Sequence, residues 1–269
     1  MQPHLLSLEP LSLLDVGARE CVDIAARTGF DFVSMVLQEP APMLPADPVV
    51  KDATLRRETI AAMRASGVRM LNIECFNLTP EARLEDFAEA FAVGHELGAR
   101  TATAIAMPNG DRADLLAKYR RLCDMAAEMG IRVNVEFFAM AQGMCSLDMA
   151  VSLVRDSGRA NAGVTIDVLH LIRTGSSVEA MKAIDPGLIG GCQICDGPLI
   201  ADPATAADEG GANRLVPGTG GFPLKAFVAA LPVDMVIGIE VPQARLIGKV
   251  SPEERARVLI EGMRGLYTS

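Results

Sequence analysis

The segment IRVNVEFF, residues 131–138, decides the fold of this chain because it is a short apolar strand that carries a charged residue near its end. Its apolar residues alternate with Asn134 and Glu136, as in a strand whose two faces meet different surroundings. A buried carboxylate is unfavourable unless it finds a partner. We therefore expect the valines to pack against helices while Glu136 faces a polar interior.

Three later segments repeat this pattern: GVTIDVLH at 163–170, GGCQICD at 190–196 and MVIGIEVP at 235–242. They place Asp167, Gln193 and Glu240 near strand ends, on the same inward-facing positions as Glu136. Three carboxylates and an amide oxygen form a hard set of oxygen ligands, which favours Mg²⁺ or Mn²⁺, with Co²⁺ as a third candidate. We predict these four residues as the ligands of one divalent metal ion. The alternative is that each pairs separately with a lysine or arginine.

Short apolar runs alternate with longer amphipathic ones along the whole chain. The predicted strands are Leu5–Glu9, Phe30–Leu37, Val68–Phe76, Thr101–Met107, Ile131–Phe138, Ala162–His170, Leu188–Asp196 and Met235–Pro242. The predicted helices are Leu14–Thr28, Val50–Ser66, Pro80–Leu97, Asp111–Met129, Ser146–Ser157, Ser177–Ala183, Gly221–Ala230 and Pro252–Tyr267. Eight such units predict one α/β domain over residues 1–269, a single (β/α)8 TIM barrel. A doubly wound open sheet is the rival, but the first strand lacks the glycine-rich turn that usually follows it in that fold.

Composition limits the classes of function. The chain has 269 residues, 50% of them hydrophobic, and a formal net charge of −9, which argues against nucleic acid or anionic membranes as partners. The chain start lacks the basic and apolar regions of a signal peptide, and we find no run of apolar residues long enough to span a membrane. Its six scattered cysteines are typical of reduced, buried thiols, so we expect a cytoplasmic protein.

Other polar residues lie near the predicted strand ends. Glu74 and His170 are candidates for acid–base catalysis, and His170 could titrate near neutrality or contact substrate. The longest irregular stretch, Gly197–Gly220, is expected to cover a substrate, because it falls on the face where barrel active sites are built. The remaining candidate substrate contacts are Asp196, Arg173, Arg214 and Arg245. Arg214 could clamp a carboxylate or phosphate through two hydrogen bonds.

These motifs resemble the xylose isomerase-like TIM barrels of the sugar phosphate isomerase/epimerase superfamily. The matching residues are Glu136 in NVEFF, Asp167 and His170 in IDVLH, Gln193 and Asp196 in QICDGP, Glu240 in IGIEVP, and the loop that begins at Arg214. The resemblance implies a metal held at the strand ends and two glutamates that double as ligand and base. Ketose epimerases of this family commonly carry His where this chain has Gln193, and the set here looks more like the inosose and 3-dehydroshikimate dehydratases.

A metal at such a site would polarise a carbonyl and stabilise an enediolate after an adjacent proton leaves. Reprotonation gives isomerisation or epimerisation, whereas loss of a β-hydroxyl gives dehydration. We therefore predict a metal-dependent isomerase or epimerase of a keto sugar or polyol, with a dehydratase as the alternative and a non-catalytic sugar-binding barrel as a third hypothesis. A related endonuclease is disfavoured, because only three histidines are present. By resemblance, the chain is expected to form a homodimer or homotetramer.

Overall fold

The eight predicted strands close into a barrel in which each strand pairs in parallel with its neighbours in sequence order. The computed structural model describes residues 4–41, 44–107, 110–139 and 144–268. Strand β1 pairs with β2 and also with β8, where Leu8 lies opposite Ile239. The pairing of β1 with β8 closes the sheet and removes both of its edges. The predicted (β/α)8 TIM barrel is confirmed, and the open-sheet alternative is excluded.

Helices surround this barrel. The strands are β1 (Leu6–Leu8), β2 (Phe32–Val36), β3 (Arg69–Asn77), β4 (Thr101–Ile105), β5 (Arg132–Glu136), β6 (Ala162–Asp167), β7 (Ile189–Ile194) and β8 (Ile237–Ile239). The α-helices in the described ranges are α1 (Ala18–Thr28), α2 (Ala53–Ser66), α3 (Ala88–Leu97), α4 (Arg112–Ala127), α5 (Leu147–Ser157), α6 (Val168–Arg173), α7 (Val178–Lys182), α8 (Ala206–Gly211), α9 (Leu224–Ala230) and α10 (Pro252–Thr268). None of the described helices is long and apolar enough to cross a membrane.

Three local predictions are corrected. The sixth strand was extended to His170, but β6 ends at Asp167, whose side chain accepts a hydrogen bond from the Leu169 amide and so caps α6. The third helix does not begin at Pro80, which lies in a turn; a short 3-10 helix begins at Leu84 and leads into α3. The long loop at 197–220 is also not wholly irregular, because it contains α8.

The core lies between the sheet and the helices, and a few polar groups fix particular helices to it. Tyr119 of α4 donates a hydrogen bond from its buried hydroxyl to the Val133 carbonyl oxygen, at 2.9 Å. Arg255 of α10 is almost fully buried and pairs with Asp15, at 2.6 Å, in the segment after β1. Since buried polar groups need partners, these contacts favour one position of α4 and one position of α10 against the barrel.

The register of the sheet aligns the ends of neighbouring strands. Asp167 of β6 pairs with Gln193 of β7, and Gln193 pairs in turn with Gly238 of β8. Because successive side chains of a strand alternate between faces, Gly238 and Glu240 share the inner face. The C-terminal mouth of the barrel therefore gathers the polar side chains that end these strands.

Candidate active site

Five carboxylates and one carboxamide, all buried, line the C-terminal mouth of the barrel. They belong to Glu9, Glu74, Glu136, Asp167, Gln193 and Glu240, which we call the acid ring. Each lies at, next to or just beyond the end of a strand, except Glu74, which lies further inside β3. Such a concentration of buried like charge is strongly unfavourable unless protons, cations or hydrogen bonds compensate it.

One part of the acid ring brings three potential ligands together. Ligand atoms of Glu136, Asp167 and His170 all lie within 4.8 Å of one another. Two ligands on opposite sides of an ion are separated by about twice a metal–ligand distance of ~2.0–2.6 Å, so one ion could touch all three. The structure therefore adds His170 to the neighbourhood of two of the four residues that the sequence predicted as ligands.

The other two predicted ligands contact each other on the adjoining side of the ring. The Gln193 amide nitrogen donates to Glu240, at 3.0 Å, and to Glu74, at 3.3 Å. Glu74 also accepts from the Asn72 amide, at 2.5 Å, and from the Thr103 hydroxyl, at 3.3 Å. These bonds connect β3, β4 and β7 with the residue that follows β8, and they hold the Glu74 carboxylate in place.

Arg214 lies between the two sides of the ring. One guanidinium nitrogen, Nη1, is 2.8 Å from Asp167 and 2.9 Å from Glu240, and the side chain is almost fully buried. Its other nitrogens donate to the carbonyl oxygens of Glu209 and Gly210 in α8. The arginine predicted as a substrate clamp thus pairs with two predicted metal ligands of its own chain and links them to α8 in the loop at 197–220.

Burial determines the protonation of the ring. It raises the pKa of Glu240 to about 8, with Arg214 opposing the shift, and raises the pKa of Glu9 to about 7. Burial, reinforced by neighbouring carboxylates, also raises the pKa of Glu136 and Glu74 well above its ordinary value. At neutral pH the ring therefore holds protons, and a bound cation would have to displace them.

His170 differs from the sequence-based expectation of a histidine that titrates near neutrality. Burial lowers its pKa to about 4, so the imidazole is neutral at pH 7. Its ring packs edge-on against Phe138, with centroids 4.6 Å apart, and Nε2 is 3.9 Å from Asp167. A neutral imidazole can accept a proton or bind a metal, but it is a poor proton donor.

Three other predicted substrate contacts bind the backbone or the acidic side chains of the loop at 197–220 instead of facing the ring. Asp196 accepts hydrogen bonds from four backbone amides, those of residues 197, 218, 220 and 222. Arg173 pairs with Glu209 through two bonds, at 2.6 and 2.7 Å, and Arg245 pairs with Asp208 at the surface. All three predicted arginines therefore contact α8, which the sequence analysis did not predict.

Glu9 is a buried member of the acid ring that was not among the residues predicted from the sequence, although its position carries the same signal. Glu9 follows the apolar strand β1 just as the other acids follow theirs. Its carboxylate accepts a hydrogen bond from the Ser34 hydroxyl, at 3.0 Å, and is almost fully buried. Applying the acid-after-strand rule to all eight strands would have found it.

The residues present suit a divalent metal. Two buried atoms of the site, Gln193 Oε1 and His170 Nδ1, have no hydrogen-bond partner. An amide oxygen and a neutral imidazole nitrogen are both metal ligands, and the adjacent carboxylates supply negative charge. Unpaired acceptors beside clustered acids are expected where a cation binds, because the cation satisfies both.

Nearly the whole chain matches a known protein family. A sequence profile described as xylose isomerase-like TIM barrel matches residues 22–267. A 3-dehydroshikimate dehydratase of Pseudomonas aeruginosa is 29% identical over 120 residues, which cover 45% of this chain and 19% of that protein. The match therefore covers only about a fifth of the length of that relative.

Solved structures show the same fold. An IolI protein with a bound zinc atom has a TM-score of 0.82 at 18% identity, with 98% of each chain covered. A xylose isomerase domain protein of Alicyclobacillus acidocaldarius has a TM-score of 0.78 at 20% identity, covering 99% of this chain and 100% of the other. A D-allulose 3-epimerase of Methylomonas sp. has a TM-score of 0.72 at 18% identity, covering 99% of both. At such low identities the likeness shows the fold alone.

Proposed function

The chain belongs to the xylose isomerase-like TIM barrel family, and on this premise we propose that it is a divalent-metal-dependent isomerase or epimerase of a keto sugar or polyol. One observation carries the proposal. Ligand atoms of Glu136, Asp167 and His170 lie within 4.8 Å of one another at the barrel mouth, and Arg214 joins Asp167 to Glu240. Active sites of this fold are built at that end of the barrel.

The proposed metal site consists of Glu136, Asp167, Gln193 and Glu240, with His170 within reach. When bound, a divalent ion would supply Lewis-acid polarisation of a substrate carbonyl and so acidify the adjacent carbon. Mg²⁺ and Mn²⁺ suit the oxygen ligands, and the zinc atom in the IolI structure, together with the nearby imidazole, adds Zn²⁺ to the metals to be tested.

Two glutamates are the proposed acid–base pair. Glu136 is the last residue of β5 and Glu240 follows β8, so the two carboxyl groups approach the barrel axis from different sides. Removal of a proton from one face and return from the other is what an epimerase requires, while return to the neighbouring carbon isomerises the substrate. Burial keeps water away from both groups and raises the pKa of each, which favours uptake of the substrate's proton by whichever carboxylate acts as the base.

A dehydratase is the second candidate, favoured by the local identity to 3-dehydroshikimate dehydratase. The first step is the same, removal of a proton next to a carbonyl. The reactions then differ, because the dehydratase expels a β-hydroxyl, whose departure needs a proton donor. Glu74, whose pKa burial raises well above its ordinary value and which accepts a hydrogen bond from Gln193, is the group proposed for that role.

Solvent-deuterium exchange tests the proposal. The protein, supplied in turn with Mg²⁺, Mn²⁺, Co²⁺ and Zn²⁺, is incubated in D₂O with D-allulose, D-fructose, inososes and 3-dehydroshikimate. We expect deuterium at a carbon next to the carbonyl of a keto sugar without loss of a hydroxyl. Loss of water, seen as enone absorbance, would instead favour the dehydratase as the function of this protein.

Two variants assign the exchange to the acid ring. Glu240→Gln should abolish deuterium uptake and weaken metal binding, because it removes a carboxylate while preserving the shape of the side chain. Glu253→Gln is the matched control, since Glu253 lies in a partly exposed pair with Arg27 and should leave exchange unchanged. Full exchange by Glu240→Gln would refute the assignment, and metal-independent binding of a sugar without exchange would favour a sugar-binding barrel.

A further inference from the structure

A second cavity, of about 470 Å³, opens at the N-terminal end of the barrel, opposite the mouth that the acid ring lines. Its entrance is formed by residues at or before strand starts, among them Arg100, Arg132 and Asp234. It continues inward past polar side chains to Glu9, Glu74 and Gln193 of the acid ring. A volume of this size fits a small metabolite, since ligand pockets commonly measure ~300–1,000 Å³.

The cavity is open because the barrel interior lacks the usual filling. TIM barrels are normally packed with layers of branched aliphatic side chains. Here Asn72, Asn134 and Thr165 line the middle of the barrel, and glycines occupy the neighbouring positions 190 and 191 of β7. A side chain at either glycine would collide with Asn134 or Thr165, within 2.6 Å of its Cβ. The barrel interior is therefore an open, polar chamber at the level where aliphatic side chains normally fill a TIM barrel.

Two arginines, Arg100 and Arg132, line the entrance, and a third, Arg69, lies at the start of β3. Arg69, Arg100 and Arg132 begin or directly precede the consecutive strands β3, β4 and β5. Within the part of the chain that the structure describes, none of them forms an ion pair, although the protein carries a net charge of −9. Arg69 and Arg100 instead stack on the buried Phe32 ring, at 4.1 and 4.9 Å from its centroid. Arg100 and Arg132 line the entrance together with Asp234 but form no ion pair with it, so their cations are able to attract an anion.

Two buried polar atoms beside this entrance are also unsatisfied. Arg132 donates to the Gly187 carbonyl oxygen, at 2.7 Å, but its buried Nε has no partner. The oxygen of the nearly fully buried Asn134 amide is likewise unpartnered. Unsatisfied buried polar atoms are rare in proteins and are expected where a ligand or ordered water completes the hydrogen bonds.

We propose that this N-terminal cavity is a second binding site, specific for a small hydroxylated anion whose phosphate or carboxylate group lies between Arg100 and Arg132. The hydroxyl groups extend inward toward Asn72, Asn134 and Thr165. This orientation keeps the charge away from Glu9 and Glu74 at the inner end. Arg100 and Arg132 are not among the proposed metal ligands, so binding of the anion can be measured without a metal.

Inorganic phosphate is the first probe. Calorimetric titration into chelator-treated protein, against sodium chloride at equal ionic strength, should show saturable binding of about one phosphate per chain. Chelation prevents phosphate from binding to a metal at the acid ring. Arg100→Gln and Arg132→Gln should each weaken binding by about tenfold or more, because each removes a charge-assisted hydrogen bond. Arg155→Gln, which removes the same charge from the exposed outer side of α5, should bind like the wild type.

The exposed Arg100 decides the outcome even if Arg132→Gln fails to fold, because its hydrogen bonds to the neighbouring strands are made by its backbone, which Arg100→Gln leaves in place. Weakened phosphate binding by Arg100→Gln, with an unchanged melting temperature in the absence of phosphate, supports the site. Absence of saturable binding by the wild-type protein, or wild-type affinity in Arg100→Gln, overturns it.

Discussion

Replacing Arg214 by glutamine tests whether this side chain is the internal counter-ion of the acid ring. The change removes a buried cation that lies 2.8 Å from Asp167 and 2.9 Å from Glu240. Removing one partner of a buried ion pair typically destabilises a protein by ~3–5 kcal/mol. The loss should fall at the lower end, about 3 kcal/mol, because Glu240, whose pKa is about 8, already holds a proton at neutral pH, so that only Asp167 is left without its partner.

Thermal unfolding of the metal-free protein measures this loss. A destabilisation of about 3 kcal/mol corresponds to a melting temperature about 6–12 °C lower in a domain of this size. Arg245→Gln is the matched control, because Arg245 also pairs with an acid of α8 but its side chain is 70% exposed. Such surface pairs contribute about 0–1 kcal/mol, so the control should unfold close to the wild-type temperature.

Adding a divalent metal separates the counter-ion role from simple packing. In the wild type, an ion that binds Asp167 and Glu240 must displace Arg214, whereas in Arg214→Gln it meets no competing cation. A saturating metal should therefore raise the melting temperature of the variant more than that of the wild type. Equal stabilisation of both proteins, or a metal-free variant as stable as the wild type, would refute the reasoning.

Three further outcomes are expected. Burial raises the pKa of Glu240 in the folded state from 4.5 to about 8, so the metal-free protein should lose stability as the pH rises through that window. Urea unfolding at pH 5, 6.5 and 8 measures this loss, and a stability that does not change with pH would contradict the raised pKa. The apparent affinity for Mn²⁺ should rise over the same window, since protons and metal compete for the same carboxylates; isothermal titration at each pH checks this. Asp196→Ala should destabilise the loop at 197–220 by about 2–4 kcal/mol, as it removes the acceptor of four amide hydrogen bonds, and should speed amide exchange there; unchanged exchange would show that α8 alone holds the loop.

Much of the fold was predictable because it depends on local patterns. Eight apolar runs predicted eight strands, and glycines at positions 29, 67 and 98 marked three helix ends where φ is indeed positive, at 89°, 81° and 85°. Alternation along each strand also assigned Glu136, Asp167 and Glu240 to the inner face. A residue's face follows from its neighbours in sequence, so no knowledge of distant contacts was needed.

The partners of those inward-facing groups depended on the tertiary structure. Arg214, remote in sequence from Asp167, reaches it only because the loop after β7 folds back over the mouth. The neutral state of His170 follows from burial against Phe138, which the IDVLH motif does not encode. The polar chamber at the opposite end likewise arises from side chains of many strands, whose separation in space is set by closure of the barrel. Sequence periodicity determined which way each side chain points, whereas long-range packing decided what it meets there.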